Sequence, residues 1–145
     1  MVKKILFVLM CLISLVNFVS TLNGQGPQKT ITLPNGEVVC DLNGEWDALY
    51  ENLGAYLPLG NISDILKITQ QGGSFVGVKM IGGNVVQKGD VSIKGELNKN
   101  GIKKVQVMPY TRFDKTLVYK SQISEDGNKI IIDGDQSVRV TLTRK

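Results

Sequence analysis

The sequence predicts an all-β fold, an antiparallel up-and-down β-barrel of about eight strands behind an N-terminal signal helix. Three observations predict it. From Asp41 onward, short β-rich runs alternate with turn residues about every ten positions. Several runs alternate apolar and polar side chains, which commits one face of each to a core. The connections between runs alternate between tight and long, so the two ends of the barrel differ.

The expected strands are Leu42–Tyr50, Ile62–Gln70, Phe75–Ile81, Val91–Leu97, Ile102–Met108, Leu117–Ile123, Lys129–Asp133 and Ser137–Thr143. Val91, Ile93 and Leu97 alternate with Ser92, Lys94 and Glu96, which places the first set inward. Val138, Val140 and Leu142 alternate in the same way with Arg139, Thr141 and Thr143. No stretch after the signal shows sustained helical periodicity. Ile31–Leu33 and Glu37–Val39 flank Pro34-Asn35-Gly36, which reads as an extra hairpin ahead of the main body.

Gln71-Gly72-Gly73, Asn98-Lys99-Asn100-Gly101 and Glu125-Asp126-Gly127-Asn128 are tight turns, whereas Glu51–Asn61, Gly82–Gly89 and Pro109–Thr116 are longer. With strands running up and down in sequence order, tight turns close one end and loops ring the other. That is the build of a cup.

The N-terminus carries Lys3 and Lys4, then an apolar run from Ile5 to Val16, then a polar and small-residue exit through Gly24 and Gly26. This is the pattern of a secretory signal. The expected division is therefore 1–26 signal peptide, 27–40 N-terminal hairpin extension and 41–145 barrel, with a periplasmic or secreted destination. Met10 ahead of Cys11 argues against a lipidated cysteine. Cys40 is then the one cysteine of the mature chain, so no intrachain disulfide forms. A chain of this length supports one core.

The formal charge of +4 falls to +2 when Lys3 and Lys4 leave with the signal. The remaining basic residues are scattered, without the clustered patch and aromatic platforms of a nucleic-acid binder. The expected partner is a small hydrophobic ligand, with no nucleic acid, no membrane after signal cleavage and a monomeric state.

Gly44-Glu45-Trp46 lies near the start of the first barrel strand, and Trp46 is the single tryptophan. With about eight strands and alternating loops, this Gly-x-Trp resembles the lipocalin and wider calycin superfamily, in particular its short bacterial members. The resemblance covers roughly Asp41 to Lys145. It implies that the tryptophan plugs the closed base beneath a basic residue of the last strand. Strand parity agrees, since the inward series Val138, Val140, Leu142 reaches Arg144. Gly44, Trp46 and Arg144 are therefore the expected structural base. The chain departs from the family in lacking a helix after the last strand and a Thr-Asp-Tyr motif.

The sequence contains no histidine, which removes Ser-His-Asp, Cys-His and histidine-metal chemistry. Asp126-Gly127-Asn128 and Asp133-Gly134-Asp135 have turn composition without calcium-loop spacing. Gly72-Gly73 and Gly82-Gly83 match no phosphate loop. The expectation is a protein that is not an enzyme and carries no metal or cofactor.

The expected lumen is apolar, with Leu66, Ile68, Val76, Val78, Met80, Ile93, Val105, Val107, Tyr119, Ile130, Ile132 and Val140 inward and no charged residue among them away from the base. At the looped end the expected ligand contacts are Tyr50, Tyr56, Leu57, Met80, Val91, Val107, Tyr110, Leu117 and Tyr119, with Leu59 from the same loop as Tyr56. Tyrosines there can hydrogen-bond a head group while their rings pack on the ligand body. The alternative is a barrel filled by its own side chains, acting as a non-enzymatic envelope or secreted interaction protein.

Overall fold

A computed structural model describes residues 28–108, 119–134 and 136–145. The expected signal peptide, the whole of the third long loop with Tyr110, and also Leu117 and Asp135 lie outside the described residues.

A two-stranded hairpin comes first, β1 (Thr30–Thr32) against β2 (Val38–Cys40). Eight strands follow: β3 (Gly44–Asn52), β4 (Ile62–Gln71), β5 (Ser74–Lys79), β6 (Val91–Asn98), β7 (Gly101–Val107), β8 (Lys120–Ile123), β9 (Lys129–Gly134) and β10 (Val138–Arg144). They form one antiparallel sheet in the order β7-β6-β5-β4-β3-β10-β9-β8. Sequence neighbours pair from β3 to β7 and from β8 to β10, and β10 returns to pair with β3 from Arg144↔Trp46 to Val138↔Asn52. The seam lies between β7 and β8, where the Tyr119 N–H donates to the Val105 carbonyl at 3.2 Å. The result is a nearly closed, up-and-down barrel, the fold class that the sequence predicts.

The core sits inside this sheet. Leu42, Trp46, Leu66, Ile93, Val105, Ile130, Ile132, Val140 and Leu142 are completely or almost completely buried. Each buried aliphatic side chain contributes roughly 1.5–3 kcal/mol relative to exposure. Val39 and Cys40 are buried too, so the hairpin packs into the base instead of standing away from it. Leu33 lies against the Gly72-Gly73 turn on the same side.

Three features correct the sequence reading. On β5 the buried positions are Phe75, Gly77 and Lys79, while Val76 is 40% exposed and Val78 and Met80 are only partly covered. The expected inward set on this strand is therefore its outer face. On β6 a bulge opposite Gly77/Val78 breaks the alternation, so that Ser92 and Ile93 are both fully buried and Val91 is half-buried. An extra residue on one strand re-aims the side chains that follow it. Finally, Gly54–Leu59 in the first long loop forms a short 3-10 helix where no helix was expected.

Candidate functional site

At the base, Trp46 has its ring fully buried and donates its indole N–H to the Leu42 carbonyl at 2.9 Å. The Arg144 guanidinium lies 4.4 Å from the ring centroid and donates to the carbonyls of Asn43 and Asp41. Gly44 takes φ +129°, a conformation that side-chain-bearing residues rarely adopt, directly beneath that guanidinium. Gln70, inward on β4, completes the closure. Its side chain accepts from the Leu42 N–H at 2.7 Å and donates to the carbonyls of Cys40 and Gly72. This end is sealed, and its residues are engaged with one another.

The opposite end holds a cavity of about 370 Å³. Tyr50 and Lys79 line it from within the barrel, Tyr56, Leu59 and Ile62 from the first loop and the start of β4, Gly83–Val86 from the second loop, and Met108 from the end of β7. A larger groove of about 560 Å³ runs outside the barrel, between the hairpin and the lower ends of β7 and β8. That groove is mostly polar and open, whereas the mouth cavity is walled mainly by apolar side chains and leads to buried charge. The mouth is the better candidate for a small-molecule site.

The charge is an ion pair that the sequence reading missed. Lys79 Nζ lies 3.4 Å from Asp64 Oδ2, with side chains only 7% and 1% exposed. The ammonium also stands 4.5 Å from the Tyr50 ring centroid. Asp64 is inward on β4, in register with Ala48 on β3, and Lys79 is in register with Leu66. Charged residues therefore do occupy inward positions away from the base.

Asp64 is richly solvated by backbone. Its Oδ1 accepts from Ile65 N at 2.7 Å and Ile81 N at 3.1 Å, and its Oδ2 accepts from Gly82 N at 3.0 Å. Burial acts to raise the Asp64 carboxyl. The N–H groups of Ile81, Gly82 and Ile65, with the Lys79 charge, outweigh it and hold the group below its ordinary value. The same contacts fasten the second loop to the barrel rim. Gly82 adopts φ +80° there, and a Cβ on it would run into the Gln87–Lys88 backbone. Asp90 accepts from Gln87 N, and Val86 tucks in with 8% exposure. Asn52 donates to the Gly60 carbonyl and holds the first loop in the same manner.

Of the expected ligand contacts, Tyr50 and Tyr56 line the cavity, and so does Leu59. Tyr50 is buried, and its hydroxyl shares a 2.6 Å hydrogen bond with Ser92 Oγ. Val107 and Tyr119 are buried but do not line the cavity, and Val91 and Met80 stand apart from it. Leu57 is 64% exposed on the 3-10 helix and does not line the cavity. Asp64, Lys79, Ser92, Val86 and Met108 were missed. Asp64 shares the even parity of Leu66 and Ile68 and was legible on that ground; the bulge that brings Ser92 inward leaves no mark in sequence. Asp126 is occupied in its turn, accepting from Ser124 Oγ, from Asn128 N at 3.1 Å and from Asn128 Nδ2 at 3.2 Å.

No protein-family model, curated protein or solved structure matches the chain. Fold and site together define it as a nearly closed antiparallel β-barrel with a sealed base and a cavity at its mouth.

Proposed function

We propose that this chain is an exported, lipocalin-like, non-enzymatic protein that binds a small hydrophobic molecule at the barrel mouth. The mouth cavity carries the reading: its volume of about 370 Å³ falls within the range of small-molecule sites, and Tyr56, Leu59, Ile62, Val85, Val86 and Met108 supply apolar walls. The ligand sits at the mouth rather than deep in the barrel, because the lower interior is packed by Trp46, Leu66, Ile68, Phe75 and Leu142. Export rests on the Lys3-Lys4 and Ile5–Val16 pattern. The absence of histidine from the sequence supports a binding role over acid–base or nucleophilic catalysis.

The test is fluorescence titration with N-phenylnaphthylamine, an uncharged dye that brightens in apolar surroundings. Saturable enhancement that is lost in Leu59→Asp, with the fold intact by circular dichroism, is the expected result. No saturable enhancement, or enhancement indifferent to Leu59→Asp, overturns the reading.

A further inference from the structure

We propose that the mouth cavity selects an amphiphile with a carboxylate head group, taken head first onto Lys79 with its hydrocarbon tail along the rim. The inference rests on the binding role proposed above and specifies its ligand class.

Lys79 lines the cavity, and Asp64 does not. An incoming molecule therefore meets the ammonium before the carboxylate behind it. The ion pair is also unequal in its remaining needs. Asp64 has three backbone N–H donors in addition to Lys79. Lys79 has three N–H donors of its own to satisfy. Among the described residues its partners are one carboxylate oxygen at 3.4 Å and the face of Tyr50. A side chain 93% buried, with donors left over and aimed at a cavity, calls for an acceptor from outside the chain. The three N–H dipoles on Asp64 offset part of its charge, so the ammonium stays attractive to an anion.

The surroundings decide the rest of the ligand. The Tyr50 hydroxyl is committed to Ser92, so the floor offers a charge more readily than a neutral hydrogen-bonding pair. Outward from Lys79 the walls turn apolar. Leu59 at 58% and Val85 at 70% exposure continue that surface to the rim. A cation at the bottom and hydrocarbon at the top match a carboxylate head pointing in and an alkyl tail pointing out.

The experiment compares decanoate, decanol and decylamine, three ligands with one tail length and different heads, by calorimetric titration of the full-length mature chain. Decanoate is expected to bind about tenfold or more tightly than decanol, the difference made by a hydrogen bond to a charged group, and decylamine weakest of all. Lys79→Met should abolish the preference by lowering decanoate to the level of decanol, and Lys79→Arg should keep it. If Lys79→Met does not fold, the ranking on the wild-type chain decides. Equal binding of decanoate and decanol, or tighter binding of decylamine, overturns the head-group assignment while leaving the hydrophobic site standing. Retention of the preference in Lys79→Met overturns the role of Lys79. Binding of none of the three, together with failure of the uncharged dye, overturns both proposals.

Discussion

The Lys79 ammonium stands 3.4 Å from the Asp64 carboxylate and 4.5 Å from the centre of the Tyr50 ring, inside a barrel whose other inward residues are mostly apolar. The two partners do not carry equal weight. Removing Asp64 orphans the N–H groups of Ile81, Gly82 and Ile65 as well as Lys79. Asp64→Ala is expected to cost about 3–5 kcal/mol, as for a buried pair broken from one side. Lys79→Met leaves the carboxylate with its three backbone donors, and about 1–3 kcal/mol is expected. Urea denaturation of both variants checks the order; a larger cost for Lys79→Met contradicts it.

Acid should weaken the rim, whereas neutral pH leaves it intact. Asp64 is held below its ordinary value of 3.8 in the folded chain, so the unfolded chain binds its proton first as pH falls. The stabilisation it supplies is therefore fully present above that ordinary value and is lost as pH falls through the lower, folded one. Denaturant midpoints measured from neutral pH downward should drop in this window for the wild type. The drop should be shallower in Asp64→Asn, which has no proton to gain.

At the base, Arg144 joins a ring contact with Trp46 to two backbone carbonyls. The ring contact alone is worth about 0.5–2 kcal/mol, depending on desolvation. Arg144→Ala should lower stability by at least this contact and shift the emission of Trp46, the single tryptophan. Arg144→Lys should restore only part of the loss, since an ammonium cannot stack flat and fork to two carbonyls at once. Unchanged emission in Arg144→Ala would place the guanidinium elsewhere.

Gln70 tethers the chain leaving the hairpin, through Leu42 N and Cys40 O, to the base of β4. Gln70→Leu leaves both backbone groups buried without that partner, and a loss of about 1–3 kcal/mol is expected. Because Cys40 is adjacent and buried, its reaction with a thiol reagent should also quicken in this variant. A cysteine rate identical to wild type would separate the two.

Gly95 faces inward beneath the Phe75 ring, where an added Cβ would meet Phe75 Cζ at 2.6 Å and the Lys104 carbonyl. Gly95→Ala is expected to destabilise by about 1–3 kcal/mol through overpacking, read from the thermal midpoint. Val76→Ala on the same pair of strands, exposed on the outer face, should change it far less.

The sequence by itself determined the strand count, the meander, the sealed base and the looped mouth. These follow from local rules: turn residues mark connections, period-two alternation marks strands, and tight turns force neighbours to pair. The observed strand ends differ from the expected ones by two residues or fewer wherever both lie in described residues. One part of the site was legible and went unread. The two-residue turn at Gly72-Gly73 pairs Gln71 with Ser74, so even positions on β4 face the same side as odd positions on β5. With Leu66 and Ile68 inward, Phe75, Gly77 and Lys79 must be inward too. The hydrophobicity of Val76, Val78 and Met80 pointed to the wrong face, because strand propensity rewards such residues on either side of a sheet. Only the tertiary structure decided the remainder. The bulge that turns Ser92 toward Tyr50, the loop backbone that solvates Asp64 and the space left above Lys79 depend on contacts between residues 17 to 42 positions apart. No local pattern encodes such contacts, because their geometry exists only once the sheet has curled and nearly closed.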